Sequence, residues 1–151
     1  MKSIKFIALV LLVSLMASCA GTGPGVKEDN VMSVVELLNS GNSAGLAEIS
    51  SLPFVFDSEI LESETQIAQL WTGLAAAGFT IDNPEITQQR AVTEEDASLF
   101  SEGWEISTFF KNLLSEKDTF VEVQGASTDA YFILRRSRSA LEIIAFKGEV
   151  K

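Results

Sequence analysis

The segment Thr119–Lys147, TFVEVQGASTDAYFILRRSRSALEIIAFK, carries the strongest structural signal in the chain. Its apolar residues alternate in three runs, Thr119 to Gln124, Ala130 to Arg136 and Ala140 to Lys147, separated by short polar turns. Successive side chains of a strand point to opposite faces, so the runs predict three strands, and the short turns predict an antiparallel meander. The unbroken Tyr131-Phe132-Ile133-Leu134 stretch predicts a central strand covered on both faces. Phe120 and Glu122 alternating with Val121 and Val123 predict a half-exposed one.

Upstream, the apolar period changes to that of helices. Ile106, Phe109, Phe110 and Leu113 lie on one face of a stretch that Thr93 caps with Asp96, while Glu94 and Glu95 suit the positive helix start and Gly103 divides the stretch in two. Before it, Phe79 to Ile81 and Glu85 to Val92 read as extended segments broken at Asn83-Pro84. Ser63 and Gln66 form a capping box for a helix whose face is Ile67, Leu70, Trp71 and Leu74, closed by Gly78. Phe54-Val55-Phe56 reads as a short strand after Pro53, which ends a short helix capped by Ser43 and running to about Ser51 with Leu46 and Ile49 inward. Val31, Val34, Val35 and Leu38 recur at i, i+3, i+4 and i+7, behind Asp29-Asn30 as caps and ahead of Gly41.

Amphipathic helices followed by an antiparallel sheet, with Leu52-Pro53-Phe54 leading to the Trp71 helix and Phe146-Lys147-Gly148 closing the meander, resemble the NTF2-like (cystatin-like α+β cone) family. The resemblance covers about Asn30 to Phe146 and implies an α+β fold, helices on a curved, mainly antiparallel sheet. The helical stretch Thr93 to Ser115 is an insertion relative to the simplest family pattern. Members often hold a small apolar ligand between sheet and helices; some are isomerases or dehydratases and many are binding or assembly modules. Fold alone does not choose among these.

The N-terminus tells where such a domain would reside. Lys2 and Lys5 precede an uninterrupted apolar run, Phe6 to Val13, which is shorter than the roughly 20 residues of a spanning helix. Met16-Ala17-Ser18-Cys19 resembles the lipobox of bacterial lipoproteins, in which the cysteine is lipidated and becomes the first residue. Ordinary secretion with cleavage after Ala20 is the alternative. Residues 1–18 are thus read as a lipoprotein signal peptide, 19–29 as a lipidated, glycine-rich tether and 30–151 as one globular domain. By resemblance, the absence of aspartate after Cys19 points to the outer membrane.

Without Lys2 and Lys5 the chain retains 9 basic against 21 acidic side chains. That balance disfavours nucleic acid, whose affinity rests on neutralised phosphates, and leaves the acyl chains on Cys19 as the membrane contact. Cys19 is the only cysteine and there is no histidine, so Ser-His-Asp and Cys-His catalysis and histidine-ligated zinc are excluded within this chain. No cofactor is called for.

The remaining candidates are few. Arg135, Arg136 and Arg138 concentrate positive charge at the last turn and could grip an anionic ligand or an envelope protein; the alternative is turn solubility and edge protection, with the arginines pairing to nearby acids. Tyr131, the only tyrosine, could polarise a carbonyl beside Glu122 or Asp57, as ketosteroid isomerase-like members do, or be a core residue with its hydroxyl at the rim. Trp104, with Trp71, Phe109 and Phe110, reads first as core and second as lining for a small apolar ligand. Asp57, Glu59, Glu62 and Glu64 read as solvated acids at a helix start rather than a cation site.

Overall fold

The computed structural model describes residues 25–138 and 140–151. The signal segment, Cys19 and most of the tether expected from sequence lie outside the described residues. Elements run α1 (Glu28–Asn39), α2 (Ser43–Glu48), β1 (Ser50–Phe56), β2 (Glu59–Leu61), α3 (Glu64–Ala76) and β3 (Glu85–Ala91). A 3-10 turn (Glu94–Asp96), α4 (Ala97–Phe100), α5 (Trp104–Leu113), β4 (Thr119–Gln124), β5 (Thr128–Arg136) and β6 (Leu141–Val150) follow. Among the described residues no helix is long and apolar enough to cross a membrane.

The fold is α+β, with helices packed on one mixed six-stranded sheet of order β2-β1-β6-β5-β4-β3. The expected meander is present: β4 pairs antiparallel with β5 and β5 with β6. β3 extends it antiparallel on β4, whereas β1 joins β6 in parallel and folds back into β2. The helical insertion before the meander is also as expected.

Both faces of the sheet are buried, which is what the continuous apolar run of β5 requires. Ala130, Phe132 and Leu134 face a core closed by Val31, Val34, Val35 and Leu38 of α1, Leu46 of α2, and Ile67 and Trp71 of α3. Ile133 faces a second core of Val55, Phe120, Ile144 and Ala145 under Ala97, Phe100, Ile106, Phe109 and Phe110. Ile144 and Ala145 can share that face because the β5–β6 register shifts between Ile133 and Leu134. The insertion is therefore a second layer, and β4 is more deeply covered than alternation predicts, Phe120 included.

Other expectations shift by a turn or a few residues. The α1 helix begins at Glu28 behind Lys27; of the expected caps Asn30 accepts the Lys27 N–H at 3.4 Å from the third helical position, while Asp29 joins Glu28 in the first turn. Val26 is buried and its carbonyl accepts a hydrogen bond from the Gln89 side chain, so the folded domain starts inside the expected tether. Asn42 rather than Ser43 caps α2, accepting from Gly45 N–H at 3.0 Å. That helix stops at Glu48 because Ser50 is already paired with Ile143 of β6. Pro53 sits inside β1, where the register with β6 shifts between Ser50 and Val55, a place where a missing N–H is tolerated. Phe79 to Ile81 forms no strand; the Asn39 side chain bonds Ile81 N–H and C=O at 2.8 and 3.0 Å, replacing a ladder partner.

Candidate functional site

Between the first three helices and the sheet, aromatic rings meet. Phe146 of β6 lies 5.1 Å from Trp71, 5.1 Å from Phe132 and 5.8 Å from Phe79, centroid to centroid, and Trp71 lies 5.9 Å from Phe54. Trp71 is 1% exposed, and its indole N–H donates to Ser50 Oγ at 2.9 Å, whose hydroxyl donates to Leu46 C=O at 2.8 Å. The ring's one polar atom is thereby satisfied, as a buried indole needs. Outside this filled core, an open groove of about 630 Å³ runs between α2, α3 and the start of β1, lined by Ala44, Ala47, Leu52, Ile67 and Ala68 with Glu48 and Glu64.

Tyr131 lies on the other face, its ring 6.3 Å from Phe120 and packed against the second core. It is registered between Glu122 of β4 and Lys147 of β6. Burial first, then the charges of Glu149, Glu122 and Asp129, raise the phenol above its ordinary range, so it holds its proton at neutral pH. Of the two carboxylates anticipated beside it, Glu122 is the cross-strand neighbour and accepts from Gln124 Nε2 at 3.0 Å. Asp57 stands in the β1–β2 turn, 3.8 Å from Lys147 Nζ. Asp57 has φ of 53°, the left-handed conformation that aspartate tolerates in a tight turn. Asp57, Glu59, Glu62 and Glu64 are all exposed, and no three metal-binding side chains converge among the described residues.

The three arginines separate in role. Arg135 grips Asp118 through two nitrogens, Nε to Oδ1 at 2.7 Å and Nη2 to Oδ2 at 2.9 Å, and Nη2 also reaches Leu113 C=O at 3.0 Å. Asp118 is 1% exposed. Hydrogen bonding to Asp118 raises the Arg135 guanidinium above its ordinary range despite partial burial. Pairing with a nearby acid, one of the readings of the cluster, thus holds for Arg135, which fastens the end of α5 and the loop before β4 to β5. Arg136 and Arg138 are exposed in and beyond the end of β5.

Trp104 differs most from its first reading. It is the first residue of α5, behind Gly103, and is 74% exposed, because the apolar face of α5 is Ile106, Phe109 and Phe110 and Trp104 lies off it. Leu99, in the preceding α4, is 40% exposed. Lys147 Nζ donates to Leu99 C=O at 2.7 Å and lies 3.1 Å from Glu149, tying α4 to the sheet. Trp104 and Arg135 stand at opposite ends of α5, a length of about 15 Å for its ten residues. The anticipated site residues thus stand on separate elements: Trp104 opens α5, Tyr131 lies on β5 between Glu122 and Lys147, and Arg136 and Arg138 stand at the β5–β6 turn.

A second ion pair, on the buried carboxylate of Asp96, has no counterpart among the sequence expectations. Arg90 of β3 binds Asp96 with Nη1 to Oδ2 at 2.8 Å and Nη2 to Oδ1 at 2.6 Å, its guanidinium carbon 4.4 Å from the Phe120 ring centre. Thr93 N–H donates to the same carboxylate at 2.8 Å. Burial pushes the Asp96 carboxyl upward, but hydrogen bonds from Arg90 and Thr93 outweigh it and hold the group below its ordinary value. The signal available in sequence was the Thr93–Asp96 cap itself, since a capping carboxylate fixed at a helix start is placed to receive an arginine six residues upstream.

A solved NTF2-like protein with a cystatin-like fold from Novosphingobium aromaticivorans is similar to this chain, at 12% identity over 80% of this chain and 76% of that one, with a TM-score of 0.40. At that identity and score the likeness bears on neither ligand nor activity. No protein-family profile and no curated protein matches the chain.

Proposed function

We propose that this chain is a membrane-anchored lipoprotein of the bacterial cell envelope, held at the outer membrane by acyl chains on Cys19, whose domain is a non-catalytic protein-interaction module. The observation that carries the reading is the packing of Phe54, Trp71, Phe132 and Phe146 across the space between helices and sheet, which leaves binding to the outer surface. The lipobox-like Met16-Ala17-Ser18-Cys19 supports the anchor, and the acidic balance supports protein rather than nucleic acid as the partner. The alternative, an envelope enzyme of ketosteroid isomerase-like type, has in its favour the protonated Tyr131 beside Glu122. Against it, both groups lie on the face covered by the insertion, and Glu122 is engaged with Gln124.

Native mass spectrometry of the full chain isolated from a bacterial host tests the choice. The expected result is the lipidated polypeptide mass alone. A retained small molecule in stoichiometric amount would overturn the module reading and favour a ligand-binding or enzymatic one.

A further inference from the structure

Exposed tryptophan on a rigid support is a strong mark of an interface, because its large apolar ring gains more from a partner than from water. Trp104 sits on such a support. Behind it, α4 and α5 lock together through Phe100 and Phe110, whose rings are 5.4 Å apart, and Lys147 holds the backbone of Leu99 to β6. The two exposed apolar side chains, Leu99 and Trp104, are five residues apart in the α4–α5 corner.

The charges around them are mostly negative, four carboxylates against the one ammonium group of Lys147. Glu102 and Glu105 flank Trp104 along the chain and are exposed. Asp57 and Glu149, also exposed, approach Leu99 through Lys147, at 3.8 and 3.1 Å from its ammonium group. That lysine is already shared between the two carboxylates and the Leu99 carbonyl. The surface therefore offers an apolar anchor inside an excess of negative charge, which attracts cations, rewards a guanidinium stacked on the indole, and repels acidic segments and anionic lipid.

We infer that Leu99 and Trp104, with Glu102, Glu105, Asp57 and Glu149 around them, form a docking surface for a protein segment that interleaves lysine or arginine with apolar residues. The inference rests on the interaction-module reading and names the partner chemistry within it. It also separates the roles of the charged regions: the Trp104 corner recognises, and the Arg135 end of α5 fastens the insertion.

The test uses the full-length protein in neutral detergent, with empty micelles as blank, and three fluorescently labelled peptides of equal length: alternating lysine and leucine, alternating glutamate and leucine, and alternating lysine and serine. Binding of the lysine–leucine peptide is expected, read by anisotropy, with affinity falling as salt rises. The other two peptides are expected to bind at least about tenfold more weakly. Trp104→Ala should weaken the lysine–leucine peptide by about tenfold or more with an unchanged melting curve, and Glu102→Gln/Glu105→Gln should flatten the salt dependence. Equal binding by wild type and Trp104→Ala, equal affinity for the glutamate–leucine peptide, or no binding of the lysine–leucine peptide would each overturn the surface. None of these outcomes touches the module reading, which fails separately if a small molecule is found on the purified chain.

Discussion

Arg135 of β5 holds Asp118, a carboxylate 1% exposed, through two guanidinium nitrogens while the same side chain reaches the last turn of α5. Removing one partner of such a pair leaves a buried charge without compensation, a loss of about 3 kcal/mol or more. Arg135→Gln is therefore expected to destabilise the domain by about 3 kcal/mol, whereas Arg136→Gln and Arg138→Gln should each change stability by no more than about 0.5 kcal/mol. Urea titrations of the three single variants check the split. Equal midpoints would mean that the Arg135 pair contributes no more than its exposed neighbours.

The companion pair gives a pH dependence. The Asp96 carboxyl is held below the ordinary carboxylate value, so its ionised form contributes fully to stability above about pH 5, and that contribution is lost as pH falls through the lower folded value. Asp96→Asn should cost about 3 kcal/mol at neutral pH, and its melting temperature should fall less than that of wild type between pH 5 and pH 2. Parallel pH profiles of the two proteins would show that other carboxylates carry the acid sensitivity.

Core truncation should be severe at Trp71. Its ring contacts Phe54 and Phe146 and closes the first core, so Trp71→Ala is expected to lose roughly 3 to 5 kcal/mol in denaturant titrations. Ser50→Ala, which strands the indole N–H and removes the bond to Leu46 C=O, should lose about 1 to 3 kcal/mol. A Trp71→Ala midpoint equal to wild type would contradict the packing described.

The anchor has a direct test. Cys19→Ser is expected to abolish acyl labelling and move the protein from the membrane to the soluble fraction, since Cys19 is the only thiol in the chain. Unchanged partitioning of the variant would place membrane attachment elsewhere.

How far the sequence reached depended on which physical rule was in force. The meander was legible because period 2 is unambiguous in Phe120 to Val123 and a continuous run such as Tyr131 to Leu134 demands cover on both sides. The α3 helix was legible through Ser63 and Gln66, which do form the capping box, with Gln66 N–H to Ser63 Oγ at 3.3 Å and Ser63 N–H to Gln66 Oε1 at 3.1 Å. Strand β2 was missed because its three residues are too few to show a period. The fate of individual side chains was least legible. Arg135 and Arg136 are adjacent and chemically alike, and only the position of Asp118 in space makes one a structural clamp. Trp104 reads as core only as one of several nearby aromatics; it precedes Phe109 and Phe110 by five and six residues, spacings that set it on the far side of α5 from the buried face.

The position of β6 bears on how the molecule is made. The last strand in sequence is central in the sheet, with β5 on one side and β1, from the first half of the chain, in parallel on the other. Residues 50–56 can find their place only after residues 141–150 are available, a pairing between distant parts of the chain that is intrinsically slow. Without residues 141–150 the sheet would divide into β1–β2 and β3–β4–β5, with no seam to join them. Strand β6 is thus the latch on which the two halves of the chain close.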